Sequence, residues 1–195
     1  MAKKATGLQQ LLVEELQDLY DAEKQLVRAL PKVAKAVTDE ELGSAIREHL
    51  EVTKGHVQRL EQAFGSLDQK AKSKPCAGMK GIVEESSETI QEKKDEEAEG
   101  VLDVAIAGGA RRVEHYEIAG YTAAIDMARE LGHEEVAGLL ENTLQEEQEA
   151  DQKLAEISKR ILQEAASAEI ASSVEDEDAG EKQTSRVKPK TRVAS

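Results

Sequence analysis

The spacing of apolar residues between positions 12 and 37 restricts this chain to packed helices. Leu12, Leu16, Leu19, Leu26, Leu30, Val33 and Val37 follow at steps of three and four, with one gap between Leu19 and Leu26. That period places all seven on one face of a helix and scatters them over both faces of a strand. The rest of the chain agrees. Aromatic residues make up 2% of the 195 residues and Trp is absent, so the core must be built from Leu, Ile, Val and Ala. Such a composition suits helix against helix better than a sheet, which favours aromatic and β-branched side chains. The fold class read from the sequence is all-α.

Punctuation divides the chain into helices. Thr6 is placed to cap a first helix over about residues 7 to 37, kinked at Pro31. Thr38-Asp39-Glu40-Glu41 has the form of a capping box, opening a second helix that runs to about Phe64 and stops at Gly65. Residues 65–80 read as a loop with Pro75, and residues 81–93 as a short amphipathic helix. A third long helix covers about 96 to 131 with Gly132 as its stop, and a fourth about 134 to 164. From about residue 166 apolar residues thin out, an acidic block (Glu175 to Asp178) appears, and the tail to 195 is predicted to be disordered. Four long helices in two hairpins, joined by a longer connection, make a four-helix bundle with a crossover.

The formal net charge of -14 argues against a nucleic-acid partner, because phosphates would be repelled. No stretch approaches the roughly 20 apolar residues of a membrane span. Cys76 is the single cysteine, which excludes an internal disulfide and fits a reducing compartment. The expected location is the cytoplasm, and Cys76 itself is read as a plain loop residue without a partner.

The two hairpins match at a constant offset of 94 positions without a gap, and this repeat exposes the informative residues. The missing member of the first stripe is Glu23, and its mate in the third helix is Glu117, which interrupts Ile106, Ala110, Val113 and Ala124. In the fourth helix Glu147 interrupts Leu140, Leu144, Leu154 and Ile161. In the second, Thr53 and His56 fall on the inward face. Burying carboxylates at one depth of a leucine core is costly unless something compensates them, and a cation does so. The ferritin-like di-metal pattern takes Glu from each of two helices and Glu-x-x-His from each of the other two. Here Glu23 and Glu117 supply the first pair. The second is split between Thr53-x-x-His56 and Glu147-x-x-Ala150.

The chain also resembles a known family, the YciE/YciF-type bacterial stress proteins, which are ferritin-like and related to rubrerythrin. The resemblance covers about residues 8 to 162. It rests on ELQDLYDAEKQLVRALPK, HLEVTKGHVQRLEQAF, PCAGMKG, VEHYEIAGYTAA and LGHEEVAGLLENTLQEEQEAD. It implies a ferritin-like bundle over residues 1–165, a homodimer and a link to stress. Glu114-His115-Tyr116-Glu117 is similar to the Glu-x-x-Glu of rubrerythrin. That similarity implies Glu114 and Glu117 as metal ligands beside Glu23, His56 and Glu147. The chain departs from the pattern at Thr53 and Ala150, and Asp151 is a candidate replacement for the missing ligand. No paired Cys-x-x-Cys of a rubredoxin domain is present.

The expectation is therefore a centre holding iron or manganese, mono- or dinuclear, with Glu23, His56, Glu114, Glu117, Glu147 and Asp151 as candidate ligands. Oxidation of Fe(II) by oxygen or peroxide is the reaction expected of it. His49 is read as a structural histidine hydrogen-bonded to a carboxylate of a neighbouring helix. Tyr121 is read as a core tyrosine with its hydroxyl satisfied. The alternative is a metal-free dimeric stress protein acting as a structural or partner-binding module, its polar core a relic; a buried network with His56 protonated and pairing the carboxylates is a separate metal-free reading.

Overall fold

The leucine stripe is buried along nearly the whole first helix, α1 (Leu8–Ala36), where Leu12, Leu16, Leu19, Leu26 and Leu30 all face inward. The computed structural model describes residues 7–93 and 100–184, with side chains as far as residue 171. The described residues hold four further helices: α2 (Glu40–Ser66), α3 (Ala77–Lys93), α4 (Val101–Glu130) and α5 (Glu134–Thr184). No strand occurs among the described residues. α1 pairs with α2 and α4 with α5, while α2 also packs on α5 and α1 on α4. α3 lies outside this ring, against α4 and α1.

Every neighbouring pair of the ring is antiparallel. Asp103 at the start of α4 meets Thr38 just after the end of α1, and His133 after α4 meets Gln9 at the start of α1. The same two contacts express the repeat. Asp103 Oδ2 accepts the backbone N–H of Asp39 at 2.9 Å, and Gln9 Oε1 lies 2.8 Å from His133 Nε2. Residues 9 and 103, like 39 and 133, differ by the repeat offset.

Helix ends differ in detail from the expectation. α1 starts after Gly7, a non-helical residue with φ of 72°, and Thr6 lies outside the described residues. Pro31 sits inside α1, which runs on to Ala36. Asp39, not Thr38, caps α2, with Oδ1 accepting from Leu42 N–H at 2.8 Å. The carboxylate is the better acceptor at that position. Thr38 is turned instead to Asp103, donating through its N–H and its hydroxyl. α3 begins four residues before residue 81, at Ala77. α4 begins at Val101; residues 94–99 lie outside the described residues. α5 continues past residue 164 to Thr184. The Ala-rich run over 165–171 favours helix where disorder was expected. The side chains of 166–171 are all exposed, so packing into the bundle does end near 165.

The core is divided. One cluster gathers Leu12, Leu16, Leu60, Phe64, Tyr121 and Leu140 toward one end of the bundle. The other gathers Leu26, Leu30, Leu42, Ile46, Ile106 and Ile157 toward the opposite end. In sequence Glu23 falls between Tyr20 of the first cluster and Leu26 of the second, and His56, Glu114, Glu117 and Glu147 likewise fall between members of the two.

Candidate metal centre

Six side chains form the layer between the two clusters: Glu23 from α1, His49 and His56 from α2, Glu114 and Glu117 from α4, and Glu147 from α5. Glu23, His56, Glu117 and Glu147 have no solvent exposure. Each occupies a position at which the helical period calls for a core leucine, so the fold itself drives them inward.

The six converge as two overlapping groups. Glu23, His56 and Glu147 each offer one donor atom, and these atoms all lie within 4.8 Å of one another. His49, Glu114, Glu117 and Glu147 do the same. Glu147 belongs to both, and its two oxygens divide the work. Oε1 lies 2.9 Å from His56 Nδ1, and Oε2 lies 3.8 Å from His49 Nε2. The far side of each group closes with His56 Nδ1 3.3 Å from Glu23 Oε1 and His49 Nε2 3.5 Å from Glu114 Oε1.

His56 Nδ1 is ion-paired with Glu147 and Glu23, but none of these contacts has the geometry of a hydrogen bond. Among the described residues, the buried side-chain N and O atoms left without a hydrogen-bond partner belong to these six residues alone. They are Glu23 Oε2, His49 Nε2, His56 Nδ1, Glu114 Oε2, and both oxygens of Glu117 and of Glu147. Buried polar atoms are almost always paired, so such a concentration of exceptions in one layer demands an explanation.

The surroundings orient the donors. His56 Nε2 is 2.8 Å from Glu146 Oε2, and that carboxylate is itself gripped by Arg59. With the Nε2 proton donated to Glu146, loss of the Nδ1 proton would turn a lone pair toward Glu23 and Glu147. This is the carboxylate–histidine arrangement that fixes the tautomer of metal-ligating imidazoles. Tyr121 Oη donates to Glu23 Oε1 at 2.5 Å, leaving Oε2 free. The hydroxyl of Tyr121 is thus satisfied as expected.

Electrostatics record the strain of this layer. Burial pushes the Glu117 carboxyl well above its usual range, and the charges of Glu23 and Glu147 add to it. Burial and the charge of Glu147 do the same to Glu114, and burial raises Glu23. His56 is the counterweight. Burial lowers its pKa, but contact with Glu147 and Glu23 prevails and raises it to about 10. Burial raises Glu147 too, yet His56, Glu114 and His49 hold it below the usual range. His49 is lowered by burial and by the charge of His56. Burial and mutual repulsion thus favour the protonated forms of Glu23, Glu114 and Glu117.

The sequence-predicted residues separate cleanly. Glu23, His56, Glu114, Glu117 and Glu147 come together. Asp151 does not: its carboxylate takes Arg111 at 2.7 Å and lies 3.4 Å from His115, outside both groups. One residue further along α5 than Ala150, it is rotated away from the layer. Thr53 is buried but donates its hydroxyl back to His49 O at 2.8 Å, so it closes its own helix turn. The sequence reads His49 as a structural histidine hydrogen-bonded to a carboxylate of a neighbouring helix. It makes no hydrogen bond through Nε2 and instead joins the second group. Its seven-residue spacing from His56 was the available signal, since two helical turns bring the imidazoles onto one face, with ring centroids 6.4 Å apart.

Cys76 also differs from its expectation. It is buried, with Sγ 3.0 Å from Tyr116 Oη, which donates to Asp18 at 2.9 Å. Its backbone ties the crossover to α1, through Asp21 and Gln25.

Residues 7–167 match the family model described as Domain of unknown function (DUF892). Protein YciF of Escherichia coli (strain K12) is 40% identical over 152 residues, covering 77% of this chain and 90% of that protein. The crystal structure of the E. coli stress protein YciF superimposes with a TM-score of 0.76 at 38% identity, covering 82% of this chain and 99% of that one. YcfI from Rhodopseudomonas palustris gives a TM-score of 0.73 at 38% identity, covering 80% and 97%. Together with the five-helix architecture, these similarities place the chain in the YciF-type family, DUF892.

Proposed function

We propose that this protein is a metal-binding member of its family, holding two iron or manganese ions in the polar layer of the bundle. Glu23, His56 and Glu147 would hold one ion, and His49, Glu114, Glu117 and Glu147 would hold the other. The observation that carries this is the orphaned donor set: the unpartnered buried polar atoms of the described residues all belong to these six side chains. The set contains four carboxylates and two imidazoles, the composition of a ferritin-like di-metal site. Glu114 stands in for the Glu missing at Thr53, and His49 for the His missing at Ala150. Carboxylate oxygen with imidazole nitrogen suits iron and manganese.

Bound iron would supply the redox chemistry for oxidation of Fe(II) by oxygen or peroxide, in keeping with a relative described as a stress protein. The chain's own residues set the conditions. Glu146 keeps His56 in the ligating tautomer. Tyr121 holds Glu23 by one oxygen. Glu114 and Glu117 release their protons as a cation enters. The apolar clusters on either side limit water.

The test is metal content by mass spectrometry after anaerobic loading with Fe(II) or Mn(II) and desalting, beside the Glu23→Ala/Glu117→Ala double variant. Two ions per chain in the wild type, lost in the variant, are expected. One ion per chain would reduce the centre to a mononuclear site. No retained metal in either protein would sink the reading in favour of a metal-free module.

A further inference from the structure

Four of the six side chains in the polar layer, Glu23, His56, Glu117 and Glu147, are sealed from solvent. The other two are His49, whose side chain is 11% exposed, and Glu114 at 2%. Both line one cavity of about 200 Å³ between α2 and α5, to which α1 and α4 add walls. Glu48 and Lys153, paired at 2.6 Å and largely exposed, mark its mouth. The atoms His49 Nε2 and Glu114 Oε2 are buried and turned away from this cavity, into the layer. The imidazole of His49 is therefore a partition. Part of it lines the cavity, while Nε2 faces Glu114 and Glu147.

The two histidines of the layer are held differently. His56 Nε2 is clamped by Glu146, which Arg59 grips in turn. His49 Nε2 has no hydrogen-bond partner and only ion-pair contacts of 3.5 and 3.8 Å. A long side chain on a helix has two staggered χ1 wells open to it, both leaning back over the preceding turn. Four residues before His49 that turn carries Ala45, which lines the cavity. Ala110 and Ala150 line it from α4 and α5. Three methyl groups in place of larger side chains leave the room that an imidazole needs to change wells.

We infer that His49 is the gate of the polar layer. Its ring turns out of the layer into the cavity beside Ala45, opening a passage on the α2–α5 face through which a divalent cation reaches Glu114 and Glu147, and then turns back to become a ligand. The turned-out ring meets water at the mouth, so its nitrogens are not buried unpaired. Glu48, Glu146 and Glu149 line the cavity beside the ammonium of Lys153, a field that draws cations to this face. What passes the gate rests on the metal-centre reading; the movement of the ring does not.

Ala45→Leu fills the volume into which the ring turns and leaves every donor in place. Two measurements on the full-length protein test the gate. In the metal-free chain, relaxation dispersion of isotope-labelled histidine rings should show exchange at His49 and none at His56, and Ala45→Leu should abolish it. In anaerobic stopped flow with Co(II) as an optical probe, wild-type uptake should level off at high Co(II), limited by opening of the ring. Ala45→Leu should slow uptake and release alike by about tenfold, with unchanged stoichiometry. If that variant fails to fold, Ala150→Leu fills the same cavity from α5. Uptake at the wild-type rate in the folded variant overturns the gate, and so does a flat dispersion profile for His49. If no chain retains Co(II), the metal centre falls and the dispersion alone decides. Exchange lost in the filled variant then sustains the gate, and exchange absent from the wild type or surviving in the variant overturns it. Retained Co(II) with unaltered rates leaves the centre standing without the gate.

Discussion

Glu117 has both carboxyl oxygens buried and neither hydrogen-bonded, in a position flanked by Val113 and Ala124. An unsatisfied buried polar group costs about 1–3 kcal/mol. Glu117→Leu should therefore stabilise the metal-free protein by about that amount in urea unfolding, while cutting its metal affinity. Unchanged or lower metal-free stability would show that Glu117 is already satisfied. The protonation pattern gives a second residue-scale prediction. His56 has a folded pKa of about 10 against an ordinary 6.5, so its stabilising effect is complete below 6.5 and lost as pH rises through 10. Glu114 and Glu117, also raised, act in the same direction, because the folded state holds more protons than the unfolded one. Glu147 and His49 are lowered, and their windows lie below about 4.5 and 6.5. The metal-free protein should thus lose stability steadily between pH 6.5 and 10. Thermal melts across that range check this, and a flat profile would contradict it. Metal loading at pH 7 should release protons, read by calorimetry in buffers of different ionisation enthalpy.

At the scale of elements, one buried carboxylate joins three helices. Asp103, in the first turn of α4, accepts from Thr38 N–H at 3.0 Å, from the Thr38 hydroxyl at 2.5 Å and from Asp39 N–H at 2.9 Å. It thereby fixes the α1–α2 turn to the start of α4. Asp103→Ala leaves those donors unpaired and should lower stability by about 1–3 kcal/mol, measured by chemical unfolding. The crossover is fixed by a close approach. A Cβ on Gly78 would stand 2.5 Å from Tyr116 Cε2 and 2.8 Å from its hydroxyl. Since Tyr116 is held by Cys76 and Asp18, Gly78→Ala must displace α3 or the ring. The expected loss is about 1–3 kcal/mol, with altered near-UV tyrosine dichroism as the second readout. Wild-type stability and dichroism would mean that α3 is loosely held.

At the scale of the molecule, the bundle is two apolar halves with a polar layer between them. Without cations this layer weakens the join; each of the two proposed ions would tie three helices, and the two together would tie α1, α2, α4 and α5. A ligand present at a hundred times its Kd adds about 2.7 kcal/mol to the folded state. Loading with Mn(II) should therefore raise the melting temperature of the wild type and leave that of Glu23→Ala/Glu117→Ala unmoved. No described helix is long and apolar enough to cross a membrane, as the composition led one to expect.

The helices and their pairing are properties of local sequence. Period, caps and glycine stops act over a few residues, so α1, α2 and α4 appear where the pattern puts them, and the 94-residue repeat pairs Glu23 with Glu117. The same period marked His56 and Glu147 as inward. What the sequence left open depended on rotation and neighbours. A shift of one residue turns a side chain by about 100°. That rotation carries Asp151, one residue past the inward Ala150, out to Arg111. His49 and His56 stand two turns apart on one helix, and no spacing rule says that Glu147 will reach between them. Cys76 gained its partners only when the crossover folded back onto α1 and α4. Chain-local energies chose the elements; only their packing decided which donor atoms would meet without a hydrogen bond to satisfy them.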